Sequence, residues 1–259
     1  MIDKLLIIPD TQVRKGVCID HIKAAGNYIA EHKPDVVVHL GDHYDMPSLN
    51  RYASKKEIEG QRIKDDIEAG NKAIKALFKP LHDLQKKQRK DKKKVYKPRL
   101  VYLNGNHDPS VRLPRLYEEM PVLEGMIQEP DLIKLGFTEV HEFLDIIDIE
   151  GIKFSHYFVN PHSARKAPLG GTMDTMLKNC GFSFVQGHTQ TYKSGKHYLT
   201  DGTQRLGIVA GAFYLHDEGY MGKQGNKSHW RGIIQLNEVE NGGADVCELS
   251  INYLIRNYL

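Results

Sequence analysis

Short apolar runs alternate with helix-like stretches along the first half of the chain. LLII (5–8) precedes a segment over about 18–32 in which Ile19, Ile22, Gly26, Ile29 and Ala30 recur at helical spacing. DVVVHL (35–40) is nearly continuous and β-branched, the pattern of a strand covered on both faces, and RLVYLN (99–104) predicts a third strand. FLDIIDI and IKFSHYF flank Glu150-Gly151 and predict a hairpin. FSFVQ (182–186), RLGIVAGAFY (205–214), WRGIIQLNEV (230–239) and DVCELSINYL (245–254) complete the expected strands. Residues 57–85 predict a helix with Ile63, Ile67, Ile74 and Leu77 on one side, and 109–136 predict short helices at the sheet edge. A βαβ-like first half and a mostly antiparallel second half predict an α/β fold. Its sheets pack on each other with helices outside, in one domain over 1–259 with a helical and basic insertion at about 50–98.

Composition adds exclusions. With 259 residues, 40% hydrophobic and 27% charged, the chain reads as an ordinary globular protein able to bury its own core. No apolar run approaches the ~18 residues of a membrane span, and MIDKLLIIPD reads straight into a strand with no leader-like flank. Cys18, Cys180 and Cys247 have neither zinc nor redox spacing; they are expected as small buried hydrophobes in a reducing, cytoplasmic setting. A net charge of +3 is too small to argue for a nucleic-acid partner. Its distribution is uneven, however: in KKQRKDKKK (86–94) seven of nine residues are basic. The Lys86–Lys94 region reads either as a nucleic-acid contact or as a solvated helix end.

Chemistry gathers at the strand ends, where ligands of α/β sheets bind. The first strand ends in Asp10-Thr11-Gln12, the second in Gly41-Asp42-His43-Tyr44-Asp45, the third in Asn104-Gly105-Asn106-His107-Asp108 and FSFVQ in Gly187-His188-Thr189-Gln190. His156 ends another strand, with His162 as its competitor. Two carboxylates brought together, Asp10 and Asp42, repel unless a cation neutralises them, and one carboxylate can bridge two divalent ions. Asn106 offers a neutral carbonyl oxygen, and His156 and His188 offer imidazole nitrogen suited to zinc, iron or manganese. Asp45 is expected to fix its loop through backbone N–H groups, and His39 to be a satisfied core histidine. His43 is a candidate nitrogen ligand. Arg165, Lys166, Lys193 and His216 are candidate substrate cations, and 219–232 a mobile loop beside the crevice.

This ordered series, from Asp10 to Gln190, resembles the calcineurin-like metallophosphoesterase family. The resemblance implies a four-layer αβ-sandwich with two mixed β-sheets flanked by helices. It also implies hydrolysis of a phosphodiester or phosphomonoester by two-metal activation of water. One divalent ion would be held by Asp42, Asn106, His156 and His188, the other by Asp10, Gln12, Asp42 and Gln190, with Asp42 between them. His107 would stand near the leaving-group oxygen, with Asp108 orienting it. The chain departs from the family at Gln12 and Gln190, where histidines are usual. Glutamine still ligates through its carbonyl oxygen, and the resulting all-oxygen set favours manganese or magnesium over zinc, with iron also in range. A nucleotide or nucleic acid is the expected substrate. The alternative is a catalytically weak or inactive descendant that binds metal or nucleic acid.

Overall fold

Alternate residues of a strand face opposite ways, and here both faces are apolar. In β1 (Ile2–Ile8), Leu5 and Ile7 enter one buried cluster, Leu6 and Ile8 another. The same alternation separates Val36 and Val38 from Val37 in β2 (Val36–His39), and Val101 and Leu103 from Leu100 and Tyr102 in β3 (Arg99–Leu103). A computed structural model, describing residues 1–164, 167–218 and 222–259, shows what covers each face.

Sheet one has the order β11 (Gly243–Ser250), β10 (Gly232–Glu240), β1, β2, β3, β4 (Glu139–His141). Strands β1 to β4 run parallel, and β10 and β11 join antiparallel. Sheet two has the order β5 (Ile147–Ile149), β6 (Ile152–Phe154), β7 (Ser183–Gln186), β9 (Gln204–Ala210), β8 (Tyr192–Tyr198). Between the sheets lie Leu5, Val38 and Leu103 with Phe154, Val185 and Ile208. On the outer face of sheet one pack α1 (Asp20–His32), α3 (Ile63–Lys90) and α8 (Ile251–Tyr258), through residues such as Ile29, Phe78 and Leu254. On the outer face of sheet two, Met176 and Leu177 of α6 (Met173–Cys180) meet Phe184 and Val209. Helix, sheet, sheet, helix: the expected four-layer αβ-sandwich with two mixed sheets is what the chain forms.

Several local expectations change. The second half is mostly antiparallel as expected, in the pairs β5–β6, β8–β9, β1–β10 and β10–β11, but β6, β7 and β9 run parallel and α6 forms the crossover between β6 and β7. The strand expected over 245–254 stops at Ser250, whose Oγ accepts the Tyr253 N–H at 3.2 Å and starts α8, with Ile251 and Leu254 buried one turn apart. Cys18 and Cys247 are exposed rather than buried. The stretch 50–98 holds α2 (Lys55–Ile58) and also α3, the crossover that returns the chain from β2 to parallel β3. Gly219, Tyr220 and Met221 of the expected loop lie outside the described residues; Gly222–Ser228 is a short helix, α7. No helix among the described residues is long and apolar enough to cross a membrane.

Candidate metal centre

The ends of β1, β2, β3 and β7 meet over one edge of the sandwich. Gln12 N–H donates to the Asp42 carbonyl at 2.9 Å, and His188 N–H to Asp10 Oδ1 at 3.1 Å. The chain bends off each strand abruptly: Gln12, Asp42, His188 and Gln190 all adopt the left-handed region, with φ of 37°, 49°, 65° and 57°. Such a conformation costs of order 1–3 kcal/mol in a non-glycine residue and persists only where its surroundings enforce it. At Asp42 the enforcement is Asp108. Its Oδ2 accepts from Gly105 N (2.7 Å) and Asp42 N (3.0 Å), and its Oδ1 from His43 N (3.1 Å) and Tyr44 N (3.2 Å). The approach is close enough to require glycine at two places. A Cβ on Gly105 would stand 2.2 Å from Asp42 Oδ1, and one on Gly187 2.5 Å from Asp10 Oδ1.

At the centre, lone pairs face one another. His156 Nδ1 lies 2.7 Å from the Leu40 carbonyl, which fixes that nitrogen as the N–H and leaves Nε2 as an acceptor in the neutral ring. Nε2 then lies 3.0 Å from Asn106 Oδ1 and 3.5 Å from Asp42 Oδ2. Three acceptors this close are repulsive unless a cation sits among them. One ligand atom each from Asp42, His156 and His188 falls within a 4.8 Å cluster. Among the described residues the buried His188 Nδ1 has no hydrogen-bond partner, and neither has Asp10 Oδ2. Burial, then the charge of Asp42, pushes the Asp10 carboxyl well above its usual range; burial, then His156, depresses His188 to about 4. This donor set fits divalent cations. Asp42, Asn106, His156 and His188 converge on one position, and Asp10 stands beside Asp42. Gln12 and Gln190 are buried next to them in the chain, with the Gln190 Oε1 accepting from Tyr214 OH at 2.8 Å.

His107 stands at the rim, its N–H on Asp42 Oδ1 at 2.8 Å. Sequence adjacency suggested that Asp108 orients its ring; the structure gives that place to Asp45. His107 Nδ1 lies 3.1 Å from the Asp45 carbonyl and 3.5 Å from its carboxylate, while both Asp108 oxygens are occupied by backbone N–H groups. The expected roles of Asp45 and Asp108 are therefore exchanged. Burial pulls the His107 ring down, but the charge of Asp42 and the Asp45 contact outweigh it and lift the ring to about 9. Asp45 is itself anchored by Arg14 Nε at 3.0 Å, and Arg14 pairs also with Glu218, which takes His216 Nε2 at 2.8 Å. Asp45, His216 and Glu218 cluster as metal ligands do, but the Arg14 guanidinium already supplies their cation.

A match to the family profile described as Calcineurin-like phosphoesterase covers residues 4–213, which take in every one of these residues except Tyr214, His216 and Glu218. The chain belongs to that family. It is 34% identical over 236 residues to the Gene 54 protein of Mycobacterium phage L5, spanning 86% of this chain and 76% of that one. To the Gene 54 protein of Mycobacterium phage D29 it is 34% identical over 88 residues, 32% of each chain. Among solved structures it is similar to Yfce, a phosphoesterase from E. coli (13% identity, TM-score 0.41, covering 96% of this chain and all of that one). It is also similar to a dimetal phosphatase from Danio rerio (11% identity, TM-score 0.44, 96% of each).

The remaining candidates sort by contact. In this calcineurin-like chain His43 is no ligand, because Thr11 Oγ1 (2.8 Å) and the Gly70 carbonyl (3.0 Å) take both its nitrogens. His39 is the satisfied core histidine expected, and exposed His162 yields to His156, which is fully buried. Lys193, on edge strand β8, donates to the Gly171 carbonyl, and His216 to Glu218 rather than toward the centre. Arg165 and Lys166 lie outside the described residues. The basic run is remote: from Gly70, beside His43, α3 rises about 24 Å before Lys86. The chain then returns at Tyr96 and Arg99 to Pro34 and Asp35, at the opposite end of β2 from Asp42.

Sequence reasoning missed Arg14, Tyr214, Glu218 and Arg112. Arg112 lies one turn into α4 (Pro109–Glu119), so its distance from Asn106 was legible once α4 was read as a helix. The others come from loops whose approach no local pattern reports.

Proposed function

We propose that the chain is a metal-dependent phosphoesterase with two divalent ions around Asp42, acting on a phosphodiester or phosphomonoester of the nucleotide or nucleic-acid kind. One observation carries the reading: three acceptors, Asn106 Oδ1, His156 Nε2 and Asp42 Oδ2, brought together at 3.0 and 3.5 Å beside Asp10 Oδ2, which has no partner among the described residues. Asp42, Asn106, His156 and His188 would hold one ion, and Asp10, Gln12, Asp42 and Gln190 the other. Mixed nitrogen and oxygen donors on one side and oxygen donors on the other suit manganese. When bound, such ions supply Lewis acidity that generates a nucleophile at neutral pH and offsets phosphoryl charge.

The chain's own part is orientation and proton transfer. Asp45 holds His107 through Nδ1, leaving Nε2 with no partner among the described residues and free to protonate the leaving oxygen. Asp108 keeps the Asp42 loop in its left-handed bend, so that both Asp42 oxygens face inward.

The glutamines favour a second reading, a descendant with one tight metal and little turnover, because a neutral amide oxygen at Gln12 and Gln190 holds a divalent ion less strongly than an imidazole nitrogen does. Hydrolysis of bis(p-nitrophenyl) phosphate with manganese separates the two. Turnover that falls by about 10²–10⁴-fold in His107→Ala while metal binding persists supports the enzyme. Manganese binding without turnover supports the descendant.

A further inference from the structure

The guanidinium groups of Arg115 and Arg51 gather around that of Arg112, which stands beside His107, and two of the three have no acid among the described residues. Arg112, half-buried on α4, donates from Nε to the Asn106 carbonyl at 3.2 Å and from Nη1 to the Leu49 carbonyl at 2.9 Å. Arg115 follows at i+3, on the same face of the helix, and is exposed. Arg51 reaches the Arg115 carbonyl at 3.5 Å and pairs with Glu119. Among the described residues no carboxylate lies within ion-pair distance of Arg112 or Arg115, whereas Arg14 and Arg231, likewise half-buried, pair with acids. Burial, with Arg115 and Arg51 adding repulsion, works against the charge of Arg112, while Asp42 and Asp45 favour it. The carbonyl contacts use Nε and one Nη1 hydrogen, leaving three of its five N–H donors unspent among the described residues.

A half-buried guanidinium held by carbonyls rather than by an acid, with a second free guanidinium one turn further out, is a subsite for anions in series. We infer that Arg112 and Arg115 form a second anion subsite beside the centre, selecting an ester that carries another phosphate next to the one cut. The inference rests on the phosphoesterase reading and narrows it. Arg112, tied to the carbonyl of Asn106, meets the scissile phosphate. Arg115 meets its neighbour, as along a polynucleotide or in a nucleoside with two phosphates. The lysines of 86–94, at the other end of α3, take no part in this selection.

Two esters with one leaving group provide the test: thymidine 5′-(p-nitrophenyl phosphate) with and without a 3′-phosphate, each hydrolysed in manganese. The native chain prefers the 3′-phosphorylated ester in kcat/KM. Arg115→Gln erodes that preference about tenfold, Arg115→Lys keeps most of it, and rising salt weakens it. Equal efficiency toward both esters in the native chain overturns the subsite, as does an Arg115→Gln loss of one factor for both. Hydrolysis of neither ester overturns the phosphoesterase reading, and the subsite with it. A short oligonucleotide and a nucleoside 5′-diphosphate, run as competitors, distinguish a flanking phosphate from a pyrophosphate.

Discussion

His156 Nε2 and Asn106 Oδ1 face each other at 3.0 Å while the other nitrogen of the ring, Nδ1, lies 2.7 Å from the Leu40 carbonyl. The backbone thus fixes a tautomer that leaves two acceptors in contact. A cation relieves that repulsion, so metal binding and stability are linked.

Manganese at about one hundred times its dissociation constant adds roughly 2.7 kcal/mol to stability, about 5–10 °C in Tm for a chain of this size. Differential scanning calorimetry with and without chelator measures it. In His156→Ala the increment from the tighter ion disappears.

Tyr214 OH donates to Gln190 Oε1 at 2.8 Å, which aims the amide and polarises its carbonyl. Tyr214→Phe therefore weakens the weaker of two manganese-binding events about tenfold and leaves the tighter one in place. Isothermal titration calorimetry resolves the two.

Asp45→Asn loosens His107 without removing it. The expected loss is about ten- to a hundredfold in kcat, with metal affinity retained. Asp108→Ala acts differently: four backbone N–H groups lose their acceptor, and the loss appears in stability, by several kcal/mol in chemical denaturation. If Asp108→Ala kept native stability and lost only turnover, the exchange of roles between the two aspartates would be wrong.

His21 is 2% exposed, edge-on to Phe213, and its burial depresses the ring to about 3. The unfolded chain, with an ordinary histidine near 6.5, binds the proton first. Stability from the neutral ring is present above pH 6.5 and is lost as pH falls toward 3. His21→Leu flattens the stability curve between pH 4 and 6 by roughly 1 kcal/mol per unit. His39 and His43, depressed in the same direction by burial, keep the remaining slope. Tm against pH for the two proteins gives the difference.

The layers were legible because β1, β2 and β3 carry continuous apolar runs, and a strand apolar on both faces must lie between two covers. β8 was not, since YKSGKHY is a polar edge strand whose pairing with β9 no hydrophobic period announces. α8 was missed because the period of β11 runs on into INYL, and only the Ser250 cap marks the change. The residues that converge at the centre were readable from the strand ends, whereas the backbone signs at Gln12, Asp42, His188 and Gln190 were not. Nor was Asp45 over His107: the neighbour in sequence, Asp108, faces the other way, and the neighbour in space comes from a different loop.

The basic run at 86–94 lies far from the centre, so charge neutralisation there leaves hydrolysis of a small chromogenic ester unchanged. Only a polynucleotide long enough to span about 24 Å or more registers it, as a shallower salt dependence of binding.

Anomalous diffraction from crystals grown with manganese tests the central claim most directly. The account predicts a peak bounded by Asp42 Oδ2, Asn106 Oδ1, His156 Nε2 and the His188 ring, at about 2.1–2.3 Å from the ligand atoms. A second, weaker peak is expected between Asp10 and Asp42 on the side of Gln12 and Gln190. No peak among those four residues at saturating manganese, or a single peak at Asp45, His216 and Glu218, would contradict it.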